Sequence, residues 1–181
     1  MIMKKFLQII SVGLFILLTS SKCLPFYNYL EIECNAPYDI LCIIDLPSDP
    51  RKMTEIRPEP IDNFTTKANS HNMMRTLGTW EKFWSLYPDD TVSFFFFHKD
   101  TVEKYSWDEI RQNNKLLVRY DIGVRDLAIL PRYTYSGGAY VPIVPYPPVE
   151  SMRAIHMYPP YDQVMAQYEA DCQKIAAMGE D

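Results

Sequence analysis

The sequence predicts an α+β fold: a small, mainly antiparallel sheet with a central phenylalanine-rich strand, covered by two or three helices. Thr91–Phe97 carries four consecutive phenylalanines in an extended run, which puts two rings on each face of a strand and requires cover on both. Trp80, Phe83, Trp84 and Tyr87 fall at i, i+3, i+4 and i+7, the spacing of one helix face. Ser106-Trp107-Asp108-Glu109 has the residues of a capping box, in which serine and glutamate satisfy two free amides at a helix start. With 181 residues, 48% hydrophobic and 14% aromatic, the chain can bury one core, and a single domain over 22–181 is expected.

The elements follow in order. Residues 1–21 read as a signal peptide, with Lys4 and Lys5 ahead of the apolar run Phe6–Leu18 and small residues at its end. Cleavage after Ser21 is one reading. The other makes Cys23 the first mature residue and lipidates it, since Leu18-Thr19-Ser20-Ser21-Lys22-Cys23 is similar to a bacterial lipoprotein signal, with Lys22 where a small residue is usual. Removing residues 1–21 takes away two lysines and no acid, so the formal charge goes from −5 to −7. An acidic mature chain argues against nucleic acid as a partner. Membrane attachment is expected only through a lipid on Cys23.

Tyr29–Glu33 and Ile40–Leu46 are β-rich and predict an N-terminal hairpin about the turn residues Asn35–Asp39. Such a hairpin would set Cys34 opposite Cys42 within disulfide reach, the alternative being two buried thiols. An exported chain sits in an oxidising compartment, and four cysteines (Cys23, Cys34, Cys42, Cys172) allow three pairings. Residues 46–60 hold four prolines and read as a loop. A helix from Thr79 stops before Pro88, the phenylalanine strand follows, and Asp100 and Ser106 each precede a glutamate by three residues as helix caps. Leu116–Tyr120 predicts a short strand, and Gly123 caps a last turn that ends before Pro131. Gly137-Gly138 predicts a hairpin turn between Tyr133 and Val141, and Pro142, Pro145, Pro147 and Pro148 predict an edge strand or extended segment beyond it. Asp162–Met178 predicts an amphipathic helix with Val164, Tyr168, Cys172 and Ile175 in line.

Tyr105–Ile110, Leu117–Asp121, Tyr146-Pro147-Pro148 and Met157–Tyr161 together resemble a family of small exported proteins of Gram-negative gut-type bacteria, many of them lipoprotein-like, with no assigned chemistry. The resemblance runs from about Ile32 to Tyr161, and the chain differs at Gly123, in 131–144 and in its helical tail. It implies the periplasm, the outer membrane or the cell surface as address. It also draws notice to Asp90-Thr91-Val92 and Asp100-Thr101-Val102, which are similar to the O-glycosylation acceptor of some such bacteria, at Thr91 and Thr101; both aspartates equally suit the start of a strand or helix.

Catalytic chemistry finds little footing. His71, His98 and His156 lack metal-ligand spacing, and there is no H-E-x-x-H, C-x-x-C, P-loop, G-x-G-x-x-G or G-x-S-x-G pattern. Asp89-Asp90 and Asp108-Glu109 suit a turn and a helix start. No metal or cofactor is expected. The leading expectation is therefore a non-enzymatic envelope protein with a structural or interaction role. Its competitor is a glycan- or peptide-binding module whose platform is Tyr133, Tyr135, Tyr140 and Tyr146, since tyrosine joins a flat apolar ring to a polar tip. An enzyme would need a pocket that gathers a histidine and a carboxylate.

Overall fold

The computed structural model describes residues 27–45, 62–134 and 140–178. The predicted signal peptide, Cys23, the proline-rich loop, Tyr135 and Gly137-Gly138 lie outside the described residues.

The α+β class holds, with two sheets rather than one. Nine strands are described: β1 (Tyr27–Cys34), β2 (Ile40–Asp45), β3 (Asp62–Thr66), β4 (Ser70–Leu77), β5 (Thr91–His98), β6 (Val118–Gly123), β7 (Arg132–Thr134), β8 (Tyr140–Tyr146) and β9 (His156–Tyr158). Four form one sheet in the order β4-β1-β8-β7, and five form the other in the order β3-β2-β5-β6-β9. Every ladder is antiparallel except β1 with β8. The helices are α1 (Trp80–Trp84), α2 (Lys99–Lys104), α3 (Trp107–Gln112) and α4 (Tyr161–Met178).

The phenylalanine strand β5 is central, as its composition demands. Phe94 and Phe96 join the larger core with Leu30, Ile32, Tyr120, Val144 and Tyr146, drawn from both sheets. Phe95 and Phe97 point the other way, into a smaller core with Leu41, Ile43 and Ile110, against which Val102 of α2 and Trp107 of α3 pack. Each buried ring contributes about 1.5–3 kcal/mol of transfer free energy. The strand alternation thus builds two cores from four consecutive identical residues.

The predicted N-terminal hairpin does not form. Residues 35–39 are a corner: β1 pairs with β4 from Tyr27↔Leu77 to Cys34↔Ser70, and β2 pairs with β3 from Ile40↔Thr66 onward. One long two-stranded ribbon therefore bends across the edge of the molecule and contributes to both sheets. The bend is fastened by the Asn69 amide donating to the Ala36 carbonyl (3.2 Å) and the Ala68 amide donating to Asp39 Oδ1 (3.0 Å), with Asn69 at φ 51°, a left-handed value that asparagine tolerates. Cys34 and Cys42 consequently lie in different sheets, both fully buried and free, so of the two readings, a cross-strand disulfide or two buried thiols, the structure has the second. Burial pushes both thiols above their ordinary pKa.

Strand β4 escapes pattern reading because its inward positions are Ser70, Asn72 and Met74, of which only Met74 is apolar. Strand β8 corrects the edge assignment, since it lies between β1 and β7. Its neighbours take successive segments: β7 pairs with Tyr140–Pro142, and β1 with Ile143–Tyr146. Each proline thus meets a partner on one side only, which is the condition under which a strand accepts it.

Helix α1 starts at the predicted cap, Thr79, whose Oγ1 accepts from the Lys82 amide (3.3 Å), and the Trp84 indole donates to the Ile122 carbonyl (2.6 Å). The capping box of α3 is complete, with Ser106 and Glu109 bonded reciprocally. Asp100 is not a cap. Strand pairing of β5 persists to Ile40↔His98, and α2 starts at Lys99 with His98 in the cap position and no capping side chain. The turn after Gly123 is a 3-10 helix, Val124–Ala128, with the Gly123 amide donating to Asp126 Oδ2 (2.8 Å).

Candidate functional site

A cleft of about 420 Å³ opens between α4, the first turn of α2 and the connection from α3 to β6. Its position follows from sequence. β5 ends by delivering His98; Thr101 sits one turn into α2; and Gln163, Gln167 and Asp171 recur at i, i+4 and i+8 on one stripe of α4. Asn114 and Lys115 supply the third wall, while Leu117 and Val164 provide apolar surface.

Asp171 is the hub. Its Oδ2 lies 3.7 Å from His98 Nε2, and its Oδ1 accepts from Gln167 Nε2 (2.9 Å) and lies 3.4 Å from Lys174 Nζ. The His98 ring packs on Tyr38 with centroids 4.2 Å apart. The Tyr38 hydroxyl shares a 3.0 Å hydrogen bond with that of Tyr146, and burial pushes both phenols up. Lys115 Nζ lies 4.1 Å from the Tyr105 ring centroid, so this cation is held at the rim.

Burial lowers the pKa of His98 below its ordinary value of 6.5, against the opposing pull of Asp171 and Asp100. The folded state therefore prefers the neutral ring. Between the folded-state pKa and about 6.5 the unfolded chain binds more protons, so this part of the stability is present above pH 6.5 and is lost as pH falls through that window. His98→Gln is expected to remove that pH-dependent component. Urea unfolding of both proteins between pH 7.5 and about 5 checks it; parallel pH profiles would refute it.

A second polar cluster lies on the face of the five-stranded sheet opposite the larger core. Asp121 Oδ1 accepts from Ser93 Oγ (2.6 Å) and Arg119 Nε (2.6 Å), and its Oδ2 lies 2.8 Å from His156 Nδ1. A serine, a histidine and an aspartate thus meet, but in the wrong order for nucleophile activation. The carboxylate stands between the other two, whereas a catalytic triad needs the imidazole against the hydroxyl.

Of the predicted tyrosine platform, the three described rings, Tyr133, Tyr140 and Tyr146, do not share a face. Tyr146 is 1% exposed, packed on Phe96 and Tyr38, and is removed from the set. Tyr133 pairs with Val141 and is half-buried, while Tyr140, 68% exposed and opposite Thr134, belongs to the other face of the same hairpin. Alternation along the strands separates rings that composition had grouped. Thr91 begins β5 with its hydroxyl donating to the Asp89 carbonyl (3.0 Å), and Thr101 is half-buried in the cleft wall. His71 sits in β4 with Nδ1 3.8 Å from Glu31.

Sequence reading missed Gln163, Gln167 and Asp171. The available signal was their i, i+4, i+8 recurrence beside the apolar stripe of α4. Their partners, His98 and Asn114, are far away in sequence. Among the described residues no group of three or more His, Cys, Asp or Glu side chains gathers as a metal site, and no helix is long and apolar enough to cross a membrane. Set against known protein families, curated proteins and solved structures, the chain gives no match.

Proposed function

We propose that this is an exported envelope protein with a non-enzymatic, interaction role, and that its contact point is the cleft beside α4, which takes a short peptide segment. The cleft itself carries the reading: hydrogen-bonding side chains from three separate elements converge on about 420 Å³ of accessible space. Asn114, Gln163 and Gln167 each carry an amide, the group a peptide unit pairs with; the Asn114 and Gln167 nitrogens spend one hydrogen each on Tyr158 and Asp171 and keep a second. Among the described residues the lining carries no phenylalanine, tyrosine or tryptophan on which a sugar ring could lie. The non-enzymatic part rests on connectivity: His98 is turned onto Asp171 with no cysteine or serine among the described lining residues, and Asp121 separates Ser93 from His156. The hairpin reading, a glycan or peptide on the tyrosine rings, loses support with Tyr146 buried.

Titration of the mature chain with trialanine, followed by amide resonances, tests the reading, with maltotriose as comparator. Saturable shifts at Gln163, Gln167 and Asn114 are expected with the peptide. Gln163→Ala and Gln167→Ala, both at exposed positions, should each weaken binding about tenfold, the worth of one or two hydrogen bonds. Shifts with maltotriose alone would move the site to a glycan ligand, and none with either would end the proposal.

A further inference from the structure

Cys34 and Cys172, both free thiols, lie about the same corner of the molecule. Helix α4 packs on the corner of the bent ribbon, residues 35–39, which begins directly after Cys34. Three contacts seat the turn 168–172 there. The Tyr168 hydroxyl donates to the Asn35 carbonyl at 3.0 Å; the Tyr168 ring meets the Tyr146 ring edge-on at 6.3 Å; and Asp171 reaches His98, which is packed on Tyr38. Cys172 stands one helical turn beyond Tyr168 on the same face and shares a hydrogen bond with its hydroxyl, while Cys34 lies within electrostatic reach of that same hydroxyl. From the other side, Cys34 Sγ donates to the Tyr38 carbonyl at 3.3 Å, and the Tyr38 phenol lies within electrostatic reach of Cys172. Tyr168 and Tyr38 therefore each bond one cysteine and lie within electrostatic reach of the other. Cys42 sits in the other sheet, away from this corner, in the middle of β2.

We propose that Cys34 and Cys172 are the disulfide pair of this protein, a covalent staple that pins α4 to the ribbon corner and so fixes one wall of the cleft. Its occurrence in the native protein rests on the exported, oxidising address; its geometry does not. The oxidant is a small disulfide of the glutathione type. Cys172 is only partly buried and is the entry point: its thiolate attacks one sulfur of the donor, forms a mixed disulfide and expels one thiol. The Cys34 thiolate then attacks the Cys172 sulfur and expels the second. Two protein thiols lose one hydrogen each, and the donor leaves as two thiols. The loop closed spans 172 − 34 = 138 residues, long enough for a large effect on the unfolded chain.

The folded mature chain is incubated with glutathione disulfide, free thiols are blocked with N-ethylmaleimide, and the unreduced protein is digested and weighed. The expected result is one peptide pair linking Cys34 to Cys172 that separates on reduction, together with a melting midpoint about 5–15 °C above the reduced form. Cys172→Ser, at a partly exposed position, should abolish the link without unfolding the chain, and Cys42→Ser should leave it in place. A link between Cys34 and Cys42, a link from Cys172 to Cys23, or Cys34 and Cys172 both recovered as blocked thiols would each overturn the assignment. Since the oxidation is done on purified protein, failure here leaves the address and the peptide reading untouched. Failure of trialanine to bind leaves the staple untouched.

Discussion

Replacing Phe96 with alanine is expected to cost about 3–5 kcal/mol, a large share of the roughly 5–15 kcal/mol available to a domain of this size. The ring is fully buried at the middle of β5, 5.2 Å from the Tyr120 ring and 6.0 Å from that of Tyr146. Tyr120 belongs to the same sheet and Tyr146 to the facing one, so the cavity would open where the two sheets meet. Flanking strands held by backbone ladders cannot collapse into it, and the cost is the lost transfer free energy plus the unfilled volume. The midpoint of thermal unfolding should fall by about 6–20 °C. Tyr140→Ala is the control, since a ring 68% exposed should change stability by less than about 0.5 kcal/mol. Similar losses for the two variants would mean that the sheets do not close on Phe96.

Asp121→Ala is the second large effect, about 3 kcal/mol by urea unfolding. The carboxylate side chain is 11% exposed and its partner Arg119 13%. Removing it strands a nearly buried guanidinium and takes the acceptor from the Ser93 hydroxyl. Breaking such a pair costs more than the pair contributes, because the remaining charge keeps its desolvation penalty. Two further variants separate that penalty from lost packing. Replacing Asp121 and Arg119 together by leucine and methionine should recover most of the loss. His156→Ala should cost little, since the imidazole is 79% exposed. Equal losses for Asp121→Ala and for the double replacement would show that charge is not the cause.

Legibility in the sequence tracked how local each determinant was. The helix starts at Thr79 and Ser106, and the centrality of β5, depend on residues within one or two turns and were readable. The partner of β1 was not. Residues 35–39 hold the proline and asparagine of a turn, and only the pairings with β3 and β4 decide that they bend the chain rather than reverse it. The same limit hid the cleft. Gln163, Gln167 and Asp171 form a visible stripe on α4, but the stripe is a wall only because β5 ends in His98 across from it. The tyrosines misled for the opposite reason. Composition grouped Tyr133, Tyr135, Tyr140 and Tyr146, and the period-two alternation of strands divides the three described ones between faces and interior.

The parallel ladder between β1 and β8 bears on how the chain acquires its structure in time. Glu31 meets Ile143 and Cys34 meets Tyr146, so each contact closes a loop of 112 residues. During vectorial synthesis, β1 can find β4 early, but its other edge stays open until Ile143–Tyr146 has emerged. Such long-range closure slows folding. A chain whose β1 keeps one edge open for that long holds its four-stranded sheet incomplete through most of the time in which the strands before β8 are made.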